Sequence, residues 1–185
     1  MALKPILWSQ EVYLKAWNFA CFAHKGQILP GSEIPYINHI SSVAMEVMTA
    51  IFLEPVQKPD LAVQCALLHD TLEDTVISYE QLRYEFGPEV ADGVIALTKN
   101  KSLATKTERM NDSLQRIKIH SIEIWMVKLA DRITNLQPPP GTWSKEKKIE
   151  YTEEAKIISN ELHTAHKVLS ERLRNKINHY KSYAD

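Results

Sequence analysis

Glycine is scarce, with five in 185 residues, and apolar side chains recur at helical rather than alternating spacing along most of the chain. A sequence with so few turn glycines and a dominant helical period folds as an all-α bundle. A first helix is predicted from Ser9 to Ala23, with Ser9 as N-cap and Val12, Ala16, Phe19, Ala20 and Ala23 along one face. GQILPGSEIP then reads as a loop, and helices follow over Asn38–Phe52 and from Pro59 through Asp74. Ser78 caps a short helix that stops at Gly87, and Pro88 opens the next. The polar stretch from Lys99 turns helical towards Ile117. HSIEIWMVKLADRITNL begins with β-branched residues that suit a strand, but Leu129, Ile133 and Leu136 favour helix for the whole. Three consecutive prolines make Gln137–Gly141 a loop, and Ser144–Tyr180 reads as one or two long helices.

The length suits one domain, residues 1–185, with no linker or repeat. The formal net charge is −1, from 22 basic and 23 acidic residues, which argues against a nucleic-acid partner. No apolar run is long enough to cross a membrane, and MALKPILWSQEV lacks the pattern of a signal peptide, so a cytoplasmic location is expected. Cys21 and Cys65 sit in apolar stretches and read as small buried hydrophobes in a reduced compartment. His163 and His166, three apart in a helical stretch without an evident third ligand, read as a solvated face rather than an ion site. A homo-oligomer remains open.

The segment with most chemistry is ALLHDTLEDT, residues 66–75. On an unbroken helix His69 lies over Glu73 and Asp70 over Asp74. Four polar groups at the end of a greasy helix are either a solvated acidic tail or a cation site, because buried unpaired charge is costly. Two further segments favour the cation. His39 follows a Pro-Tyr turn at a helix start, and Asp131 stands in the apolar run VKLAD with Asn135 four residues on. His39, His69, Asp70 and Asp131 make a two-imidazole, two-carboxylate set, which leaves positions open for water and a phosphate oxygen on an octahedral ion. Glu73 or Asp74 is placed to accept a proton from water. Lys25, Lys99, Lys101, Arg109, Lys128, Arg132 and Lys147 are the cations available to hold a diphosphate.

The ordered segments YINH, LLHDTLED and KLADRITNL resemble the HD superfamily, and more closely the hydrolase domain of Rel/SpoT proteins and its stand-alone relatives of the metazoan SpoT-homologue type. The resemblance runs from about Ala20 to Ala155 and includes AHKGQ, FGPEVADGVIALTK and TWSKEKKIEYTEEA. It implies an HD-domain helical bundle that binds one divalent metal ion, usually manganese, through His39, His69, Asp70 and Asp131. Glu73 and Asp74 are then the catalytic pair. Asn135 and Tyr151 then contact the nucleotide. Independently of the resemblance, Lys25, Lys99, Arg109, Lys128 and Lys147 are expected as further substrate contacts. The implied substrate is a purine nucleotide diphosphate: removal of the 3′-diphosphate of ppGpp or pppGpp as pyrophosphate.

One segment departs from the family pattern. Between GQ and PY the family carries Arg and Lys, whereas residues 28–34, ILPGSEI, hold no base and one acid. An arginine stacked on a nucleobase has no counterpart among these side chains. Two other readings therefore stand: a phosphatase of NADPH or another nucleotide, and a non-catalytic nucleotide-binding module. The presence of all four ligands and both acids speaks against the second.

Overall fold

The computed structural model describes residues 7–183, and the start of the N-terminal stretch discussed above lies outside them. Ten α-helices follow one another: α1 (Gln10–Ala23), α2 (Ile37–Leu53), α3 (Pro59–Leu68), α4 (Thr71–Asp74), α5 (Tyr79–Phe86), α6 (Pro88–Leu97), α7 (Lys106–Lys118), α8 (Ile122–Asn135), α9 (Lys145–Leu162) and α10 (Lys167–Tyr180). A short 3-10 turn covers Lys181–Tyr183. The described residues hold no strand, only one isolated bridge between Ile28 and Pro35. The all-α expectation is met, and IEIWMV is helical because Ile124, Met126, Val127 and Leu129 are all buried at the centre of the bundle.

The caps follow their chemistry. Ser9 and Ser144 each accept an N–H of the first turn, and Ser78 with Gln81 and Thr105 with Glu108 form reciprocal capping boxes. Pro59 and Pro88 stand at helix starts, where no N–H is required. Helix α8 packs against α2, α3, α9 and α10, and the apolar faces of α2, α3 and α8 supply much of the core. Cys65 is buried, whereas Cys21 is only half-buried, and both are free thiols. No helix among the described residues is long and apolar enough to cross a membrane.

Two expectations are corrected. The helix predicted from Pro59 through Asp74 breaks at His69 and Asp70, so α3 and the single turn α4 are separate. His163 and His166 do not share a helix: they are the C-cap of α9 and the N-cap of α10, and His166 is buried with Nε2 against the Glu54 carbonyl.

Candidate metal centre

The break after Leu68 builds the site. His69 Nδ1 lies 2.9 Å from the Ala66 carbonyl and donates to it, taking an acceptor that a continuing helix would use for its own N–H. The chain turns, and Asp70 sits at φ −98°, ψ 0°. His39 comes from the first turn of α2. Its entry is set by the loop before it, where Leu29 N–H donates to the Ile34 carbonyl and Gly31 takes φ 75°. Asp131 comes from the buried helix α8, with Lys128 and Asn135 on the same face.

These three segments converge. One ligand atom each from His39, His69 and Asp70 lie within 4.8 Å of one another. His39 Nε2 is 3.3 Å from His69 Nε2 and 3.6 Å from Asp70 Oδ2, and His69 Nε2 is 3.0 Å from that oxygen. Asp131 Oδ1 stands 3.5 Å from His39 Nε2 and 4.0 Å from His69 Nε2. A carbonyl only accepts, so the His69 proton is on Nδ1 and a neutral His69 presents a lone pair at Nε2. A lone pair facing carboxylate oxygens at this range calls for a positive charge between them. Two nitrogens and two oxygens of this kind fit a divalent transition-metal cation.

Electrostatics say the same of the metal-free protein. Burial pulls the His39 pKa down, but the hydrogen bonds and charges of Asp131 and Asp70 outweigh it and raise it to about 9. His69 is raised for the same reason, against its own burial. The Asp70 and Asp131 carboxyls are held far below the usual range despite burial, by the two imidazoles and, for Asp131, first by Lys128. Protons thus hold the place that a cation would take, and a bound metal ion would displace them. Tyr36 donates its hydroxyl to Asp70 Oδ2 at 2.6 Å, an orienting bond from outside the ligand set.

The acidic pair divides. The Glu73 carboxylate turns to the loop after α6, where it accepts the Lys99 N–H at 3.0 Å and faces Lys99 Nζ at 3.3 Å. Asp74 stays at the cleft with its pKa raised by desolvation and by the charges of Asp70 and Glu73, which outweigh Lys101 and Lys99. The expectation that His69 stacks over Glu73 and Asp70 over Asp74 on one continuous helix is therefore corrected, though all four line one cleft.

That cleft has a volume of about 530 Å³, and the cluster is part of its wall. Lys99, Arg109, Lys128, Asn135, Lys147 and Tyr151 all line it. Lys128 is spent on Asp131, Nζ to Oδ2 3.0 Å, and Asn135 donates to the other oxygen of the same carboxylate. Arg109 is braced by the Leu103 carbonyl. Lys25 is exposed and does not line the cleft, so the structure does not bring it together with the other cations expected there. The lining adds Lys106 and Met110, which sequence reading missed, and Tyr36, whose place beside His39 was the available signal. Lys106 opens α7 after an irregular loop, and nothing in its local pattern marks it. Trp143 and Tyr151 meet edge to face at 5.1 Å, Lys147 Nζ lies 4.2 Å from the centre of the Trp143 ring, and the Arg132 guanidinium covers Tyr151 at 4.6 Å.

An all-α bundle with this cluster defines the HD class, and residues 16–167 match the HD domain family. The chain belongs to that family and is an HD-type phosphohydrolase. It is 34% identical over 171 residues to the zebrafish (Danio rerio) guanosine-3′,5′-bis(diphosphate) 3′-pyrophosphohydrolase MESH1, covering 90% of this chain and 92% of that one. The human MESH1 is also 34% identical, over 167 residues, with 87% and 90% covered. A solved structure described as a metazoan ortholog of SpoT that hydrolyzes ppGpp superposes with a TM-score of 0.78 at 29% identity, covering 96% of this chain and 98% of that one.

Proposed function

We propose that this chain is a manganese-dependent hydrolase of the 3′-diphosphate of ppGpp and pppGpp, working as a single unit over residues 1–185 in the cytoplasm. The observation that carries the reading is the convergence of two imidazole nitrogens and two carboxylates in the wall of a cleft that cations also line. The similarity to proteins named for this activity supports the substrate. His39, His69, Asp70 and Asp131 hold the ion. When bound, it polarises the diphosphate and lowers the pKa of water at the site.

Asp74, which lines the cleft beside the cluster, takes the proton of the attacking water. Glu73 holds Lys99 at the mouth of the cleft. Lys106, Arg109 and Lys147 neutralise phosphate oxygens, and Asn135 and Tyr151 hold the nucleoside against Trp143. Water oxygen bonds to the proximal phosphorus, the bond from that phosphorus to the 3′-oxygen breaks, and the ribose oxygen takes up a proton. The products are GDP or GTP and pyrophosphate.

A second reading keeps the chemistry and changes the substrate to NADPH or another nucleotide. It is favoured by the loop 28–34, whose Ile28 and Ile34 are exposed and which holds no cation to stack on guanine. Pyrophosphate and phosphate release from ppGpp, NADPH and nucleoside monophosphates, each with added manganese, separates the two. Turnover of NADPH with none of ppGpp sinks the first reading.

A further inference from the structure

The one-turn helix α4 carries the acidic pair and cannot hold itself: a helix this short has no cooperative stability and leaves its carbonyls unpaired. Side chains from elsewhere supply the missing donors. Thr75 Oγ1 donates to the Thr71 carbonyl at 2.7 Å, Lys101 Nζ to that of Glu73 at 2.7 Å, and Gln27 Nε2 to that of Asp74 at 2.6 Å. Lys101 is an exposed, flexible cation. Gln27 is a different kind of tether.

The Gln27 backbone is fixed on both sides, by its N–H to the His24 carbonyl at 3.0 Å and its carbonyl to the Tyr36 N–H at 2.9 Å. Its side-chain amide has one permitted orientation. The Asp74 carbonyl only accepts, so the amide NH2 faces it and Oε1 faces away. Oε1 lies 2.8 Å from His24 Nδ1, which must therefore carry the proton. His24 is 3% exposed and stacks on Tyr36 with ring centres 5.2 Å apart. Among the described residues its Nε2 is buried without a partner, which a bare nitrogen tolerates better than an orphaned N–H donor. Tyr36 in turn bonds Asp70. A buried imidazole thus fixes an amide, the amide fixes the backbone of Asp74, and the same imidazole packs on the residue that orients a metal ligand.

We propose that His24 and Gln27 are positioning residues that set the place of the Asp74 carboxylate relative to the metal cluster. The proposal rests on the reading of Asp74 as the base.

The test uses the full chain with added manganese. Gln27→Met keeps the side-chain length and removes the donor. It lowers kcat for pyrophosphate release from ppGpp by about 10²-fold, the cost of a misplacement on the ångström scale. KM changes by less than about threefold, because no substrate contact is lost. His24→Leu behaves alike. His24→Asn, whose amide NH2 stands where Nδ1–H stood, recovers most of the rate. The double variant His24→Leu/Gln27→Met is no slower than Gln27→Met, since the two act in series. A loss that falls on KM, losses that add, or an Asn variant as slow as the Leu variant overturns the assignment. If the unaltered chain releases no pyrophosphate from ppGpp, the substrate reading fails and the relay is judged by hydrogen exchange. Gln27→Met then speeds exchange at Asp74 and Ile77, whose N–H groups donate to the Asp70 carbonyl and Thr75 Oγ1, and leaves α8 unchanged. Exchange equal to that of the unaltered chain at both amides refutes it.

Discussion

Replacing Asp131 by alanine removes a carboxylate from the proposed ligand set and strands a buried cation at the same time. Lys128 Nζ lies 3.0 Å from Asp131 Oδ2, with the two side chains 11% and 13% exposed. Breaking such a pair from one side costs about 3–5 kcal/mol, because the remaining charge stays desolvated. At about 2–4 °C per kcal/mol for a chain of this size, a loss near 4 kcal/mol lowers the melting temperature by about 8–16 °C. The measurement is calorimetric unfolding of chelator-treated protein, so that no cation contributes. Lys128→Met/Asp131→Ala removes both charges, so it regains the part of the loss that comes from the stranded ammonium, while the part owed to His39 and Asn135 remains, and it melts above Asp131→Ala but below the unaltered protein. Its stoichiometric manganese binding, followed by titration calorimetry, and its pyrophosphate release stay lost. A double variant as unstable as Asp131→Ala would show that Lys128 is not the partner that matters. Recovery of manganese-dependent turnover in either variant would remove Asp131 from the ligand set.

Tyr36→Phe deletes the hydroxyl that orients Asp70, and manganese affinity should fall by about tenfold, with turnover largely restored at saturating metal; unchanged affinity in a metal titration counts against this role. In chelator-treated protein the Asp74 carboxyl should titrate above the ordinary carboxylate range, because desolvation, Asp70 and Glu73 raise its pKa. Lys101 favours the ionised form, so Lys101→Met moves that titration, followed by NMR, to still higher pH; a shift the other way shows that Lys101 does not act on this carboxylate. Lys106→Ala should raise KM for ppGpp by removing a cation from the cleft wall, while Lys25→Ala, outside the cleft, leaves KM unchanged in steady-state assays.

The sequence determined the helical class, most helix starts and the two histidines and two aspartates that converge. These are local properties. Ser9, Ser78 and Ser144 cap because a hydroxyl satisfies an orphan N–H within three residues, and Pro59 and Pro88 open helices because they lack one. A histidine beside an aspartate in an apolar run is conspicuous before any folding is known, since burial without a partner is costly. Only the tertiary structure decided how those residues are used. The break after Leu68 depends on His69 reaching the Ala66 carbonyl, and the local pattern is equally good for an unbroken helix. Lys25 and Lys106 are alike as letters, and the turn at Gly26 and the start of α7 put one outside the cleft and the other on its wall. The backbone of Asp74 is held by Gln27 across 47 residues. Contacts over such separations are set by how helices pack, and no local pattern encodes them.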